Sequence, residues 1–406
     1  MEHDFPALPE GTVTSPIGFS ASATYAGLKK PGGEGVLDVG LLCSDVPCVA
    51  AGVFTTNRVR AAPVLLCQQR LAKATAQALV VNAGCANACT GPQGMANAVS
   101  MAEAAAKTLG LPPENVLVAS TGVIGQPLPI ERLREAIGRM TPTRDGGHDL
   151  ARAIMTTDTS PKEIAVEVAI GEATATVAGI AKGSGMICPN MATMLAFLTT
   201  DAAVDAALAR AALREAVDES FNMVAVDNDT STNDMVLLLA NGLAGNEPLQ
   251  AGSEYAAVFQ AALRQVCVHL ARWIARDGEG ATKLMEVTVE GALTLDQARA
   301  AARTVATSSL VKAAIHGNDP NWGRIAAAVG RSGAEMDWSK TDLYLEGLCL
   351  VRGGCPEQFS QPQVRRLLSA AEVRVKVCLN LGAESATAWG CDLSAEYVRI
   401  NADYLT

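Results

Sequence analysis

The sequence predicts a layered α/β fold. Three observations carry the prediction. Helical periodicity alternates with short apolar or alternating runs along the whole chain, two alternating runs near the middle meet at a hairpin signature, and apolar residues make up 49% of 406 residues against 18% charged. At about 150 residues per domain, this length suggests two or three domains and ample material for a buried core.

The elements follow in chain order. The run 78–81, Ala-Leu-Val-Val, is short and wholly apolar, as expected of a strand covered on both faces. Over 95–109 and 130–140 apolar residues recur at three- and four-residue steps, which predicts helices. Residues 164–168 alternate and meet 173–177 across Gly171-Glu172, the signature of a hairpin. The runs 195–198 and 236–239 again read as doubly covered strands, and 204–220 and 254–276 as helices. The Gly- and Asp-rich stretch 277–280 ends the last helix, so a smaller α/β unit is expected from 284 to 380, after a main unit of 1–283, with 381–406 returning to the main unit. Within that smaller unit 287–289 and 373–377 alternate as strands. A helix over 295–305 opens on Thr294 and Gln297, a capping-box pair.

Composition removes several function classes. Thirty-two basic against forty-two acidic residues give a formal charge of −10, the wrong balance for neutralising phosphates, so no nucleic-acid partner is expected. No apolar run approaches the roughly 18 residues of a spanning helix, and the acidic start lacks the apolar core of a secretory signal, so a cytoplasmic protein without membrane attachment is expected. Eleven cysteines without a Cys-x-x-Cys pair, and only four histidines, give neither a complete disulfide set nor a zinc site; no metal and no cofactor are expected.

Polar loops carry the chemistry. Gly, Asn, Thr and Asp concentrate at 82–90, 120–125, 156–159, 182–193, 227–234, 277–283, 316–324 and 401–406. The stretch 182–193, Lys-Gly-Ser-Gly-Met-Ile-Cys-Pro-Asn-Met-Ala-Thr, delivers a hydroxyl to the head of an apolar strand. From spacing alone it reads either as a loop entering a core strand, with Thr193 an ordinary β-branched residue, or as a strained turn presenting a nucleophile. A threonine without a histidine base can acquire one by attacking its own preceding carbonyl. Hydrolysis of the resulting ester frees an α-amine with a pKa of about 7.7–8.0. The acidic run Asp227, Asp229 and Asp234 lacks the spacing of a calcium loop and is read as turn and loop hydrogen bonding.

The string from Lys182 to Phe197 resembles the self-cleavage segment of the ornithine acetyltransferase family, the glutamate N-acetyltransferases of the cyclic arginine pathway, and the other polar segments match in order from Gly18 to Thr406. The resemblance implies an α-β-β-α sandwich with an N-terminal-nucleophile threonine site. It implies a precursor cut between Ala192 and Thr193 into an α chain (1–192) and a β chain (193–406), assembled as an α2β2 heterotetramer. Thr193 would then carry acetyl from N-acetylornithine to glutamate, some members also accepting acetyl-CoA as donor.

By the same resemblance Thr121 and Gly122 form the oxyanion hole, and Thr156, Lys182, Thr193, Glu279, Asn401 and Thr406 bind substrate. Lys182 could pair with a substrate carboxylate or depress the Thr193 amine by like-charge repulsion. Glu279 suits an ornithine ammonium, and Asn401 and Thr406 suit amide or carboxylate groups. The loop 316–324 is assigned to packing, with Arg324 a candidate charge partner. Cys85 and Cys188 depart from the residues usual in the family and leave the thiol state near the site open. Two other readings stand beside this one: a self-processing threonine amidase or aminopeptidase with water as acceptor, and a non-catalytic amino-acid-binding protein.

Overall fold

The computed structural model describes residues 5–29, 36–188 and 194–403. In chain order they form β1 (Phe19–Thr24), β2 (Val39–Phe54), α1 (Ala62–Arg70), β3 (Thr75–Cys85), α2 (Gly91–Leu109), β4 (Val116–Val123), α3 (Ile130–Ile137), α4 (Gly147–Ala153), β5 (Lys162–Ile170), β6 (Ala173–Lys182) and β7 (Leu195–Thr200). There follow α5 (Ala206–Asp218), β8 (Val224–Ala225), β9 (Met235–Ala240), α6 (Ala256–Arg276), β10 (Leu284–Ala292), α7 (Leu295–Ala306), α8 (Ser309–His316) and α9 (Trp322–Gly330). The chain ends with β11 (Asp342–Leu345), β12 (Leu348–Arg352), β13 (Cys355–Pro356), α10 (Gln361–Leu368), β14 (Glu372–Cys378), β15 (Glu384–Cys391) and α11 (Ala395–Ala402).

The first sheet runs β4-β3-β2-β9-β7-β6-β5, with β1 added beside β2. Strand β2 is sixteen residues long, and its register against β3 slips between Cys43 and Cys48. Its first part pairs with β1 and β3, and its last part, Val49 to Phe54, pairs with β9. The irregularity lets one strand pass from one half of the sheet to the other.

Side-chain alternation then sorts the layers. Leu79, Val81, Leu117 and Ala119 share a buried core with Leu195, Phe197, Leu237 and Leu239 of the other half. Their neighbours Ala78, Val80, Val116 and Val118 pack instead with Met101 and Ala102 of α2 and Leu133 and Ile137 of α3. On the far side Ala196, Leu198, Val236 and Leu238 pack with Leu213 of α5 and Leu263 and Leu270 of α6. A strand buried on both faces reads as continuously apolar, which is why 78–81, 195–198 and 236–239 were legible. The result is the expected α-β-β-α sandwich.

The second sheet runs β13-β12-β11-β14-β10-β15-β8. Met285, Val287 and Val289 of β10 share the core with Ala298, Ala301, Ala302 and Val305 of α7. Arg272 of α6 pairs with Glu286 at 2.6 Å and with Glu372 at 3.3 Å, joining this sheet to the sandwich. Strand β8 reaches the sheet from between α5 and β9. Strand β15, which the sequence reading grouped with the returning segment, pairs with β10 and β8. The return beyond the second sheet therefore begins after Cys391 and is made by α11.

Element ends differ where local chemistry overrides periodicity. Helix α2 starts at Gly91 because Pro92 suits the first helical turn. The Thr294 hydroxyl caps α7 by accepting from the Gln297 amide at 3.3 Å, but Gln297 Oε1 is buried with no partner among the described residues, so only half of the capping box forms. The hairpin pairs Ile170 with Ala173 across Gly171, whose φ of 64° is left-handed. All eleven cysteines are free thiols. Among the described residues no helix is long and apolar enough to cross a membrane.

Candidate active site

The parallel pair β3 and β4 aligns Asn82 with Ser120, Ala83 with Thr121 and Gly84 with Gly122, and then slips at Cys85. Gly122 has a φ of +127°, and a Cβ there would lie 2.3 Å from the Gly84 carbonyl carbon, so no other residue fits this crossing. A buried network fixes the turn. Ser120 Oγ donates to Asn82 Oδ1 at 2.6 Å, and Asn82 Nδ2 donates to the Cys85 carbonyl at 2.9 Å. From the neighbouring strand region Asn233 Nδ2 donates to the carbonyls of Ala86 at 2.6 Å and Ser120 at 2.8 Å. Thr121 and Gly122 are presented to a pocket by a backbone that has little freedom to shift.

Lys182, the last residue of β6, is 2% exposed. Its Nζ donates to Thr156 Oγ1 at 2.8 Å and lies 3.9 Å from Asp158. Asp158 accepts from the Gly183 amide at 2.6 Å and from Lys162 Nζ at 2.7 Å, and Lys162 in turn reaches Asp277 at 2.6 Å. Two ammonium groups and two carboxylates thus share one buried cluster behind the pocket. Burial alone would raise the Asp158 carboxyl, but Lys182 and Lys162 outweigh it and hold the group well below the ordinary carboxylate range. Burial also lowers the Lys182 ammonium, with Asp158 pulling the other way.

Asp277 terminates α6 and starts the loop that carries Glu279. The Glu279 amide donates to the Ser184 carbonyl at 3.0 Å, and a Cβ on Gly185 would meet the Glu279 carboxyl carbon at 2.3 Å. Gly185 is small because a carboxylate lies against it. Helix α11 then covers this loop: Asn401 Nδ2 donates to Glu279 Oε2 at 2.8 Å, and the Tyr397 hydroxyl donates to Asp227 Oδ2 at 3.2 Å. Asp227 also accepts from the Met186 and Ile187 amides at 2.7 and 2.8 Å, so it ties the loop after Lys182 to the C-terminal helix.

Thr121, Gly122, Thr156, Lys182, Glu279 and Asn401 therefore line one pocket, together with Thr157, Ser231, Thr232 and Asn233. Ala192, Thr193 and Thr406 lie outside the described residues. Met194, the residue after Thr193, gives its amide to Asp234 Oδ1 at 3.0 Å. The acidic run is thus loop support, as expected.

Asp158, Lys162, Asn233 and Asp277 were not singled out from the sequence. Nothing in their residue types signals burial; only the closeness of Asp158 to Lys162, four residues on, hints at a pair. Arg324 makes no ion pair among the described residues and donates to the Leu310 carbonyl at 2.8 Å, whereas His316 sits 2.7 Å from Asp392. Arg324 thus supports packing rather than charge pairing. The Cys188 thiol is pushed up to about 11 by burial, with Asp227 and Asp229 adding to it, and the buried Cys85 thiol is also raised, so both stay protonated near neutrality.

The model of the ArgJ family matches residues 20–406. The chain belongs to the ArgJ family. Among ArgJ relatives, the "Arginine biosynthesis bifunctional protein ArgJ" of Dehalococcoides mccartyi (strain CBDB1) is 52% identical over 406 residues, covering 100% of both chains. That of Symbiobacterium thermophilum is 56% identical over 400 residues, covering 98% of this chain and 99% of its own. The solved ArgJ chain of Bacillus halodurans, 45% identical, covers 51% of this chain and 98% of itself with a TM-score of 0.50. An ornithine acetyltransferase complexed with ornithine from Mycobacterium tuberculosis is 40% identical, covering 46% of this chain and 98% of its own, with a TM-score of 0.43.

Proposed function

We propose that this ArgJ-family chain cuts itself between Ala192 and Thr193 and then transfers acetyl from N-acetylornithine to glutamate, giving ornithine and N-acetylglutamate. It is an acyltransferase of arginine biosynthesis. The observation that carries the finer reading is the meeting of Thr121, Gly122, Thr156, Lys182, Glu279 and Asn401, from separate stretches of sequence, in one pocket, with the Met194 amide held by Asp234, the residue after the pocket-lining Asn233. The Bacillus halodurans chain, matched over nearly its whole length by about half of this one, supports a division near the middle.

In the cut protein the Thr193 α-amine, with an ordinary pKa of about 7.7–8.0, takes the proton from the Thr193 hydroxyl as oxygen attacks the acetyl carbonyl. Charge develops on the carbonyl oxygen, where the fixed Thr121–Gly122 turn supplies donors; one such donor accounts for about 3–4 kcal/mol of barrier. The protonated amine then gives its proton to the leaving ornithine nitrogen. Glu279 holds the side-chain ammonium of ornithine, and Lys182, with Thr156, Asn401 and Thr406, takes the carboxylate end. Glutamate enters the same pocket and its amine removes acetyl from Thr193. Acetyl-CoA serves as an alternative donor to the same hydroxyl. No step uses a metal or a resident cofactor. The two fragments remain together as an α2β2 assembly in the cytoplasm.

Supplying N-acetylornithine with and without glutamate tests this reading. Ornithine release beyond one equivalent per site that requires glutamate, with matching N-acetylglutamate, is expected. Continued turnover that ignores glutamate identifies an amidase, and a full-length chain that releases nothing identifies a binding protein.

A further inference from the structure

Asp234 is a buried carboxyl that the scheme above does not use. It precedes β9, is 0% exposed, and engages Oδ1 with the Met194 amide at 3.0 Å, while Oδ2 is buried and makes no well-formed hydrogen bond among the described residues of the continuous chain, Ser231 being the polar neighbour of the carboxyl. A buried acceptor left unpaired is unfavourable and calls for a reason. The Met194 amide belongs to the peptide bond that follows Thr193. Consecutive backbone nitrogens are joined by a single N–Cα–C–N path, so a carboxyl that grips the second stands one residue from the first.

We infer that Asp234 is a positioning residue for the nucleophile, holding the peptide after Thr193 through Oδ1 and offering Oδ2 to the α-amino group that Thr193 gains when the chain is cut. The inference rests on Thr193 being that nucleophile. During cutting, the Thr193 oxygen bonds the Ala192 carbonyl carbon, the Ala192–Thr193 C–N bond breaks, and the hydroxyl proton ends on nitrogen. Water then adds its hydroxyl to the acyl carbon and returns a proton to the threonine oxygen. The new amine has a hydrogen to donate to Oδ2 and a lone pair left for the hydroxyl.

The unpaired oxygen of the continuous chain thus has a partner in the product. Burial raises the Asp234 carboxyl well above the ordinary range, the Met194 amide, Ser231 and Lys182 pulling the other way. A hydrogen bond from the new amine favours the charged form of that carboxyl after cutting, any proton it gives up passing to solvent so that the amine keeps its lone pair.

The test uses the full chain carrying Asp234→Asn, followed by intact mass and by steady-state kinetics. Asparagine keeps an acceptor for the Met194 amide but places an NH2 group where Oδ2 was. The variant is expected to fold and cut itself, then to transfer acetyl with kcat at least about tenfold lower and KM unchanged. Wild-type kcat in the cut Asp234→Asn protein overturns the inference. Infrared spectra with 13C-labelled aspartate give a second reading that needs no change at Asp234. The difference spectrum between uncut Thr193→Ala and the cut wild type is expected to show a loss of carboxylic-acid intensity on cutting, and a difference spectrum without that loss overturns the inference. Wild-type protein that is active yet uncut instead overturns the role of Thr193, visible in the same mass spectra.

Discussion

Asn401 donates to Glu279 at 2.8 Å across 122 residues of chain, so helix α11 supplies a partner to the carboxylate on the loop after α6. Helix α11 buries no side chain of its own. Polar bonds hold it in place: this one, Tyr397 to Asp227, and Ser394 Oγ to the Gly280 carbonyl at 2.6 Å. Removing the amide by Asn401→Ala should therefore raise KM for N-acetylornithine about tenfold, the worth of one hydrogen bond to a charged group, and change kcat little. Steady-state kinetics check this; a fall in kcat at constant KM would speak against a binding role.

Gly122→Ala should be far more damaging. A Cβ would stand 2.3 Å from the Gly84 carbonyl carbon at a φ of +127°, so the turn carrying both oxyanion donors must move. The expected loss is about 10²–10³-fold in kcat, as for deletion of one oxyanion donor. Circular dichroism alongside the kinetics separates this from global unfolding.

The buried cluster behind the pocket predicts a pH-dependent stability effect. Lys162→Met leaves Asp277 without its buried cation and Asp158 with Lys182 alone. Breaking such a pair costs about 3–5 kcal/mol near neutral pH. Asp158 has a folded pKa below its unfolded value of about 3.9, so its contribution is present above that value and is lost as pH falls below it. Urea midpoints should show a smaller penalty for Lys162→Met at about pH 3 than at about pH 7. Equal penalties would mean that the ion pairing does not stabilise the fold.

Cys188 tests the thiol reading. With its pKa pushed up to about 11, it should react slowly with iodoacetamide near neutral pH, and Cys188→Ser should keep its acetyl-transfer rate within about twofold. Rapid alkylation accompanied by loss of activity would give the thiol a role that its surroundings argue against.

The sequence showed most of the sandwich because doubly covered strands and one-faced helices leave strong periodic traces, as at 78–81, 195–198 and 254–276. Strand β2 and its bend were hidden, since Ser44 and Asp45 interrupt the apolar pattern where the strand changes partners. Short strands such as β11 and β13 carry too few residues for a period to register. At the site, residue types and order were legible, but two things were not. The left-handed φ of Gly122 has no signature beyond glycine itself, and the burial of Lys162, Lys182 and Asp234 arises from tertiary packing that overrides the usual exposure of charged side chains.

The central claim is that one threonine hydroxyl cuts the chain in front of itself and so gains the amine that activates it. N-terminal sequencing of fully active protein, with intact mass, tests it most directly. Two termini are predicted, one at the start of the chain and one reading Thr193-Met194-Leu195, while Thr193→Ala yields only the first. Fully active material with the first terminus alone would contradict the claim.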